Sequence, residues 1–305
     1  MIKTRLRSTI ALLAICMAVG LCGLAPTAAA PPRSPARVGQ IDSVMKDRLR
    51  RVWQAGQALG RRPNVLAKVG DSITASGSFL SDAGDGNAVL GDHKELASII
   101  AYYRAARVDR VGGVAHNSLN RRSLAATSNW TAADLLGLRD GVPGPEPSPL
   151  QQEFAAINPS VAVILIGTND IDHTDLAVAR NNLDDVLVAT LQAGIIPILS
   201  TIPDREDYPG AAVRTLPYND TVRELAALEH VPLIDLWAAM QDLPGKGLAR
   251  DRVHPSSFTG TVGRRASVTF TARGLTYGWP MRNYLTLQML ARLKRVVMDD
   301  GQPDG

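Results

Sequence analysis

Cysteine is scarce in this sequence of 305 residues, and both copies, Cys16 and Cys22, lie among the first thirty. The remaining residues contain no thiol, so disulfides, a cysteine nucleophile and thiolate metal ligands are excluded from them. The sequence also lacks the glycine-rich motifs that bind phosphate or dinucleotides, and the closely spaced histidines typical of transition-metal sites. We therefore expect no metal and no organic cofactor.

Net charge is low outside the amino terminus. Residues 1–30 contain three of the 33 basic residues and none of the 29 acidic ones, so the rest of the chain carries a formal charge of about +1. No basic field remains that would favour nucleic acid or an anionic membrane surface as a partner.

The first thirty residues have the pattern of a cleavable secretory signal. Lys3, Arg5 and Arg7 precede an apolar run over residues 10–24, and three alanines follow at 28–30. The run is shorter than the ~20 residues that a membrane-spanning helix needs, and small residues at its end suit a signal peptidase. The pattern predicts a secreted or extracytoplasmic protein without a stable membrane span.

Lipid attachment is the alternative for this segment, because Cys16 and Cys22 lie within it. Ile15 and Leu21 precede them, where a lipoprotein signal has a small residue. This departure disfavours a lipoprotein.

Beyond the signal, residues 31–40 are rich in proline and predict a linker, and residues 41–300 predict a single domain. Apolar runs indicative of buried strands alternate with helical patterns, which is typical of a doubly wound parallel sheet covered by helices on both faces. Segment 137–149 predicts a surface loop, and segment 259–276 predicts an excursion or a hairpin. The predicted strands are 64–69, 161–166, 195–200 and 232–234; the predicted helices are 41–59, 95–106, 131–136, 150–156, 176–193, 219–229 and 281–298.

The first predicted strand stops abruptly at Gly70-Asp71-Ser72. In a doubly wound sheet the reactive crevice lies at the carboxyl ends of the strands, so this turn would place the Ser72 hydroxyl there. Two other polar segments are candidates for the same crevice: Gly167-Thr168-Asn169-Asp170, which follows a strand, and the late loop 251–255.

Acyl transfer by a serine needs a base, a carboxylate that orients the base, and donors for the oxyanion. Asp251 and His254 are three residues apart, so one turn of backbone could direct both toward Ser72. The Asn169 side chain and the backbone N–H of Ser72 could donate to the oxyanion.

The three motifs, GDSI at 70–73, GTND at 167–170 and DRVH at 251–254, together resemble the SGNH hydrolases, the GDSL-type esterases and lipases. The resemblance extends over about residues 64–298. It implies a three-layer α/β/α sandwich with a flavodoxin-like sheet. It also implies Ser72 as nucleophile and His254 as base.

The same resemblance implies that Asp251 orients the base and that Asn169 is an oxyanion donor. The family has a glycine whose backbone N–H completes the oxyanion hole, and Asn129 occupies its place here. Asparagine tolerates a left-handed backbone better than other non-glycine residues, so Asn129 could still present its N–H. Trp130 beside it is a candidate for lining the substrate pocket or for core packing.

His173 is an alternative base, because Asp170 and His173 have the same spacing as Asp251 and His254. Arg121 and Arg122 could contact an anionic group on a substrate or could form an ordinary surface pair. The acidic loop 82–92 does not have the spacing of an EF-hand calcium site, and a solvated loop is the preferred interpretation.

These features together predict an exported serine esterase that hydrolyses carboxylic esters through an acyl-enzyme. Low aromatic content, 5%, and the lack of a long apolar lid favour short acyl groups, possible substrates being acylated carbohydrates. Two alternatives stay open: an acyltransferase with the same triad, and a glycan-binding protein that has kept the scaffold without turnover. The sequence does not determine the natural substrate or the oligomeric state.

Overall fold

The computed structural model describes residues 37–139, 142–144, 146–260 and 266–299. The predicted signal peptide, most of the predicted linker and residues 261–265 therefore lie outside the described residues. The described residues all fall within one compact unit, Pro35–Gly305.

Helices and strands alternate along the chain, joined by short 3₁₀ turns and loops. The strands are β1 (Arg62–Gly70), β2 (Arg107–Val111), β3 (Val114–Asn117), β4 (Leu138–Arg139), β5 (Val142–Pro143), β6 (Pro159–Leu165), β7 (Ile196–Ser200) and β8 (Leu233–Ile234). The helices are α1 (Ser43–Ala58), α2 (Ser72–Ala75), α3 (Ser81–Asp85), α4 (Ala97–Arg104), α5 (Ala132–Leu135), α6 (Pro149–Ile157), α7 (Asp170–His173), α8 (Leu176–Gln192), α9 (Ala211–Leu228), α10 (Leu236–Gln241) and α11 (Gly278–Leu293).

The central sheet is parallel and has the order β1-β6-β7-β8. One further parallel bridge joins Gly70 to Ala126, so the chain segment at Ala126 flanks β1 on the side away from β6. At the opposite edge, Val38 bridges Ile234 in the antiparallel sense. The chain thus steps outward from β1 to Ala126 and then returns to β6, which is the strand-order reversal of a doubly wound sheet.

Helices cover both faces of this sheet. In one layer, α4 contacts α11 and β1, and α1 contacts β6 and β7. The second layer consists of α5, α6, α8 and α9, which contact β1 or β7 and pack against one another. The strands between the two layers are buried throughout: every residue of β6 and of β7 is buried. The predicted three-layer α/β/α class is therefore confirmed, because continuous apolar strands need cover on both faces.

Several local expectations need correction. Segment 137–149, predicted to be a loop, contains the short hairpin β4–β5. The hairpin β2–β3 was not predicted, because Asn117 is its only buried residue and Val111 and Val114 are exposed, so no regular hydrophobic pattern marks it. Helix α9 begins eight residues before the predicted start at Asn219 and contains Pro217 in its interior.

Segment 259–276 was predicted to be an excursion or hairpin. In its described part, Val89 pairs with Val268 and Phe270 through backbone hydrogen bonds of 2.8 and 2.7 Å. The described part of the segment is thus attached to the loop that follows α3, and it ends in a short 3₁₀ turn, Gly274–Thr276. None of the helices in the described ranges is long and apolar enough to cross a bilayer.

Candidate active site

Ser72 is the first residue of α2, at the carboxyl end of β1. Asp71 caps this helix, its carboxylate accepting a hydrogen bond of 2.9 Å from the Ile73 backbone N–H. The turn requires glycine at position 70, because a Cβ there would lie 1.9 Å from the Leu165 carbonyl oxygen on β6. The close packing of two sheet strands therefore fixes where the serine stands.

His254 reaches Ser72 from a loop late in the chain. The Ser72 Oγ and His254 Nε2 atoms are 2.9 Å apart, and His254 Nδ1 lies 2.8 Å from Asp251 Oδ2. The other Asp251 oxygen accepts backbone hydrogen bonds from Val253 and His254, at 3.1 and 3.0 Å. Arg252, which lies between Asp251 and Val253, has a left-handed backbone with φ of 61°. This conformation lets the loop turn tightly enough for Asp251 to reach the two N–H groups.

This side of the site is open to solvent. The side chains of Asp251 and His254 are 53% and 37% exposed. Partial burial opposes ionisation of Asp251, but hydrogen bonds from the backbone N–H groups of His254 and Val253 and from the imidazole outweigh it, and the pKa of Asp251 is lowered. A carboxylate held in its charged form suits a group that orients and stabilises an imidazolium.

The predicted oxyanion donors lie together on the other side. Asn169 ends the loop after β6, and its Nδ2 donates a 2.8 Å hydrogen bond to the Trp130 carbonyl oxygen, which ties it to the residue after Asn129. Asn129 has φ of 65°, the left-handed conformation expected for the position of the family glycine. Among the described residues, the backbone N–H groups of Ser72 and Asn129 donate to no acceptor. Two backbone N–H groups and the second Nδ2 hydrogen of Asn169 are thus without an acceptor among the described residues, although Asn129 and Asn169 are not among the residues that line the cleft at Ser72.

Buried groups hold this donor side in place. Asp170 is fully buried and accepts hydrogen bonds from the Ala132 backbone N–H at 3.0 and 3.2 Å, fixing the start of α5 next to Asn129. Burial raises the pKa of Asp170 to about 7, against the effect of that hydrogen bond. Gly167 has φ of 128°, and a Cβ there would overlap the Tyr218 ring. In the GTND motif, Gly167 and Asp170 therefore hold the backbone on either side of Asn169 and so position its side-chain amide.

Ser72 opens into a cleft of about 620 Å³, called here the Ser72 cleft. Its lining is mostly polar, with Trp279 as its one aromatic residue. Trp130 does not line this cleft: it lines an adjoining groove of about 760 Å³ and packs against the hydrophobic core, which agrees with the core-packing alternative. The Ser72 cleft is lined by Ser72, Ala75, Ser76, Arg122, Thr127, Ser128, Ala249, Asp251, His254, Pro255, Ser257 and Trp279.

The alternative base, His173, and the two candidate substrate contacts, Arg121 and Arg122, lie in different surroundings. His173 ends α7 and lines a different cleft with Arg214 and Pro217, and no hydrogen bond joins it to Ser72 within the described residues. Arg121 is buried: its Nη1 donates to both oxygens of Glu153 at 2.8 and 2.7 Å, so the idea that it contacts substrate is wrong. Arg122, by contrast, is exposed and lines the Ser72 cleft.

Arg282 is a supporting residue that sequence reasoning missed. It is buried in α11 and donates to the Ile73 carbonyl oxygen at 2.6 Å and to Thr74 Oγ1 at 2.9 Å, so it braces α2 directly behind Ser72. Burial lowers the pKa of Arg282 to about 9. Its guanidinium lies 3.7 Å from the centre of the Phe79 ring. The sequence feature that could have identified Arg282 is its place as a charged residue on the apolar face of the last helix.

Residues 69–258 match the model of the GDSL-like Lipase/Acylhydrolase family. The protein belongs to this family. The matched residues include all three motifs, which confirms the resemblance seen in the sequence, and the protein is accordingly a hydrolase that acts on ester bonds. In the part of the chain that the structure describes, no cluster of side chains could hold a metal ion.

Solved structures of GDSL-type enzymes are similar to this member of the family at low identity. An acetylxylan esterase from Geobacillus stearothermophilus is 19% identical over 74% of this chain and 93% of its own, with a TM-score of 0.45. A GDSL-like lipase from Bacteroides thetaiotaomicron is 14% identical over 79% and 96%, with a TM-score of 0.47. A lipase/acylhydrolase from Enterococcus faecalis is 20% identical over 55% and 73%, with a TM-score of 0.39. No curated protein sequence matches the chain.

Proposed function

We propose that this GDSL-family hydrolase is a serine esterase that cleaves short-chain carboxylic esters through an acyl-enzyme on Ser72. The single observation that carries the proposal is the continuous contact from Ser72 Oγ to His254 Nε2, 2.9 Å, and from His254 Nδ1 to Asp251 Oδ2, 2.8 Å. A hydroxyl, an imidazole and a carboxylate at these distances can move a proton without rearrangement.

In the first half of the reaction, Ser72 Oγ attacks the ester carbonyl carbon and His254 Nε2 takes the hydroxyl proton. Asp251 accepts the hydrogen bond from Nδ1–H, which fixes the tautomer that leaves Nε2 free as a base. The tetrahedral intermediate then collapses, the bond to the alcohol oxygen breaks, and His254 returns the proton to that oxygen. The alcohol leaves, and the acyl group stays on Ser72.

The negative charge of the intermediate is placed on the former carbonyl oxygen. The backbone N–H groups of Ser72 and Asn129 and the second Nδ2 hydrogen of Asn169 are the donors available to it, because none of them has another acceptor among the described residues. Donors that are already oriented stabilise this charge without reorganisation.

In the second half, water replaces the alcohol. His254 takes a proton from the water as it attacks the acyl carbon, and then returns the proton to Ser72 Oγ as the acyl bond breaks. The products are the free acid and the regenerated serine.

The lining of the Ser72 cleft supports a short acyl group and a hydrophilic alcohol. Four hydroxyl side chains, Ser76, Thr127, Ser128 and Ser257, surround the catalytic serine, and a long acyl chain would find little apolar surface beside Trp279. An acylated carbohydrate fits this lining, since sugar hydroxyls can pair with those of the protein.

The decisive experiment is hydrolysis of 4-nitrophenyl acetate by the mature protein. Ser72→Ala and His254→Ala should each lower kcat by at least about 10³-fold, while Ser76→Ala, a second serine in the same cleft, should retain the rate of the wild type within a few-fold. Full activity of Ser72→Ala would refute the nucleophile. Product analysis in the presence of sugar acceptors separates hydrolysis from acyl transfer.

We further propose that the enzyme acts outside the cytoplasm, on the basis of the basic, apolar and small-residue pattern of residues 1–30. Expression of the full chain in a secreting host should yield a mature protein that starts close to Pro31, as determined by amino-terminal sequencing. Recovery of uncleaved chain in the cytoplasm would contradict export.

A further inference from the structure

Arg122 is an exposed cation at the junction of two cavities. It lines the Ser72 cleft, and it also lines the adjoining groove that contains Trp130, Leu124 and Gln152. Thr127 is the other residue shared by both. A ligand that leaves the Ser72 cleft toward this groove must therefore pass the guanidinium of Arg122.

The loop that carries Arg122 is fixed on both sides of it. Glu153, which is 1% exposed, accepts two hydrogen bonds from Arg121 and a third, of 2.8 Å, from the Leu124 backbone N–H. The Arg121 backbone N–H also donates to the Asn117 carbonyl oxygen at 3.0 Å. Residues before and after Arg122 are thus anchored to the interior while its own side chain extends outward, so little backbone freedom has to be lost when it binds a ligand.

The other charged groups of the two cavities have hydrogen-bond or ion-pair partners. Asp251 keeps its negative charge beside the uncharged base His254, but both of its oxygens accept hydrogen bonds from its own loop, and Asp109 lies 2.8 Å from both His116 and Arg121. In the described part of the chain Arg122 forms neither an ion pair nor a side-chain hydrogen bond. Among the described residues, the Ser72 cleft thus has one cation without a partner, Arg122, and one carboxylate, Asp251, whose oxygens are both engaged by hydrogen bonds.

We propose that Arg122 is a specificity-determining residue that selects esters bearing a negatively charged group. This inference rests on the proposed esterase function and adds to it the chemical class of the substrate. A guanidinium binds a carboxylate or a phosphate through two parallel hydrogen bonds, which gives orientation as well as attraction. The charged group belongs to the acyl part of the ester or to its alcohol part, and both place the anion near Ser72.

Two matched pairs of esters test the proposal and distinguish the two parts. 4-Nitrophenyl monosuccinate against 4-nitrophenyl butyrate places the charge on the acyl group; 4-acetoxybenzoate against its methyl ester places it on the alcohol. The quantity measured is the ratio of kcat/KM for the charged ester to that for the neutral ester of the same pair. Intrinsic reactivity differs within a pair, but it cancels when the ratio of a variant is compared with that of the wild type.

Arg122→Gln should lower this ratio about tenfold for one of the pairs, and Arg122→Lys should lower it less. Raised salt should reduce the ratio in the wild type and have little effect in Arg122→Gln. Arg51→Gln, an exposed arginine of α1 that lines neither cavity, is the matched control and should leave the ratio unchanged. An unchanged ratio in Arg122→Gln for both pairs would overturn the inference.

Failure of the esterase proposal would look different. In that case the wild type would not hydrolyse the neutral esters in a Ser72-dependent manner, whatever residue stands at 122. Calorimetric binding of 4-nitrophenyl monosuccinate to Ser72→Ala, compared with the double variant Ser72→Ala/Arg122→Gln, then judges Arg122 without turnover. Equal binding to the two variants would contradict a role for its charge.

Discussion

Ser72 and His254 meet across one cleft from very different surroundings. The serine follows a buried strand, its turn is packed against β6, and the buried Arg282 braces the helix behind it. The histidine lies on a loop whose carboxylate, Asp251, is more than half exposed. One wall of the site belongs to the core of the sheet, and the other is a surface loop.

The contrast indicates that the Ser72 side of the site is rigid and that the His254 loop can adjust its position. The core wall carries the proposed nucleophile and the proposed oxyanion donors, which have to be in place before charge develops. The His254 loop has exposed contacts to Glu206, which are an ion pair with Arg252 and a 2.8 Å hydrogen bond from the Glu206 backbone N–H to the Arg252 carbonyl oxygen. Backbone contacts on either side of His254 also hold it: the Ala249 N–H donates to the His254 carbonyl oxygen at 2.8 Å, and Leu248 bridges Pro255. Changes in the core wall should therefore have large effects on activity or stability, and changes in the loop smaller ones.

The largest effect in this comparison is expected for Asn169→Ala. Loss of one oxyanion donor typically costs ~10² to 10³ in kcat, and this side chain also holds the Trp130 carbonyl oxygen. The measurement is kcat on 4-nitrophenyl acetate, with circular dichroism to establish folding and the exposed Asn87→Ala as a control. A folded variant with full activity would remove Asn169 from the oxyanion hole.

Asp170→Asn tests the core wall through stability. Burial raises the pKa of Asp170 to about 7, so the folded state retains a proton that the unfolded chain releases near pH 4. The contribution of this group to the free energy of unfolding is thus full at low pH and is lost as pH rises toward 7. The difference between the two pKa values corresponds to at most about 4 kcal/mol.

Urea unfolding of the wild type and of Asp170→Asn, followed from pH 4 to pH 7, gives the free energy difference between them. Wild-type stability should fall relative to the variant by about 3 kcal/mol over this range. The asparagine oxygen can still accept from the Ala132 N–H, which makes it a conservative replacement. A difference that does not change with pH would mean that Asp170 is ionised throughout.

Asp251→Asn sharpens the comparison on the loop side. A buried triad carboxylate contributes ~10⁴ to kcat, whereas solvent around Asp251 screens its charge and can replace part of its hydrogen bonding. We expect a loss of about tenfold to a hundredfold, measured as kcat at pH 8. A loss as large as that of a buried triad would show that the loop is enclosed during catalysis and would break the contrast between the walls.

The smallest effect is expected for Arg252→Ala. Its ion pair with Glu206 is half exposed, and such pairs contribute less than about 1 kcal/mol. Activity should fall no more than a few-fold, and the loss should shrink at high salt. Arg37→Ala, which breaks another exposed pair with Asp242, is the control for a general effect of removing a surface charge. A loss of more than about tenfold would mean that this ion pair contributes more to the position of the loop than its backbone hydrogen bonds do.

The sequence was most informative for the buried strands, which appear as continuous apolar runs, and for the residues whose type and spacing suit acyl transfer. The apolar strands β1, β6 and β7 were predicted to within a few residues because complete burial leaves a continuous hydrophobic run. Ser72, Asp251 and His254 were singled out by residue type and spacing, and the structure brings their side chains into contact. The left-handed backbone of Asn129 agrees with the expectation from the family resemblance that this residue takes the place of a glycine, which asparagine tolerates.

Features that depend on three-dimensional neighbours could not be predicted in this way. Arg121 is paired with the buried Glu153, whereas Arg122 is exposed in the cleft, and nothing in the local sequence distinguishes the two. Arg282 acts on α2 from more than 200 residues away in the chain, where no periodicity can register the contact. In the hairpin β2–β3 Asn117 is the only buried residue, so no regular hydrophobic pattern marks it.

The most direct test of an activated Ser72 is intact-mass analysis after exposure to a fluorophosphonate. The wild type should gain a single adduct that peptide mapping places on Ser72, and Ser76→Ala should gain it equally. Ser72→Ala and His254→Ala should gain none at the same exposure, because the hydroxyl or its base is missing. Folded wild-type protein without an adduct, or an adduct on another serine of the cleft, would contradict the catalytic assignment.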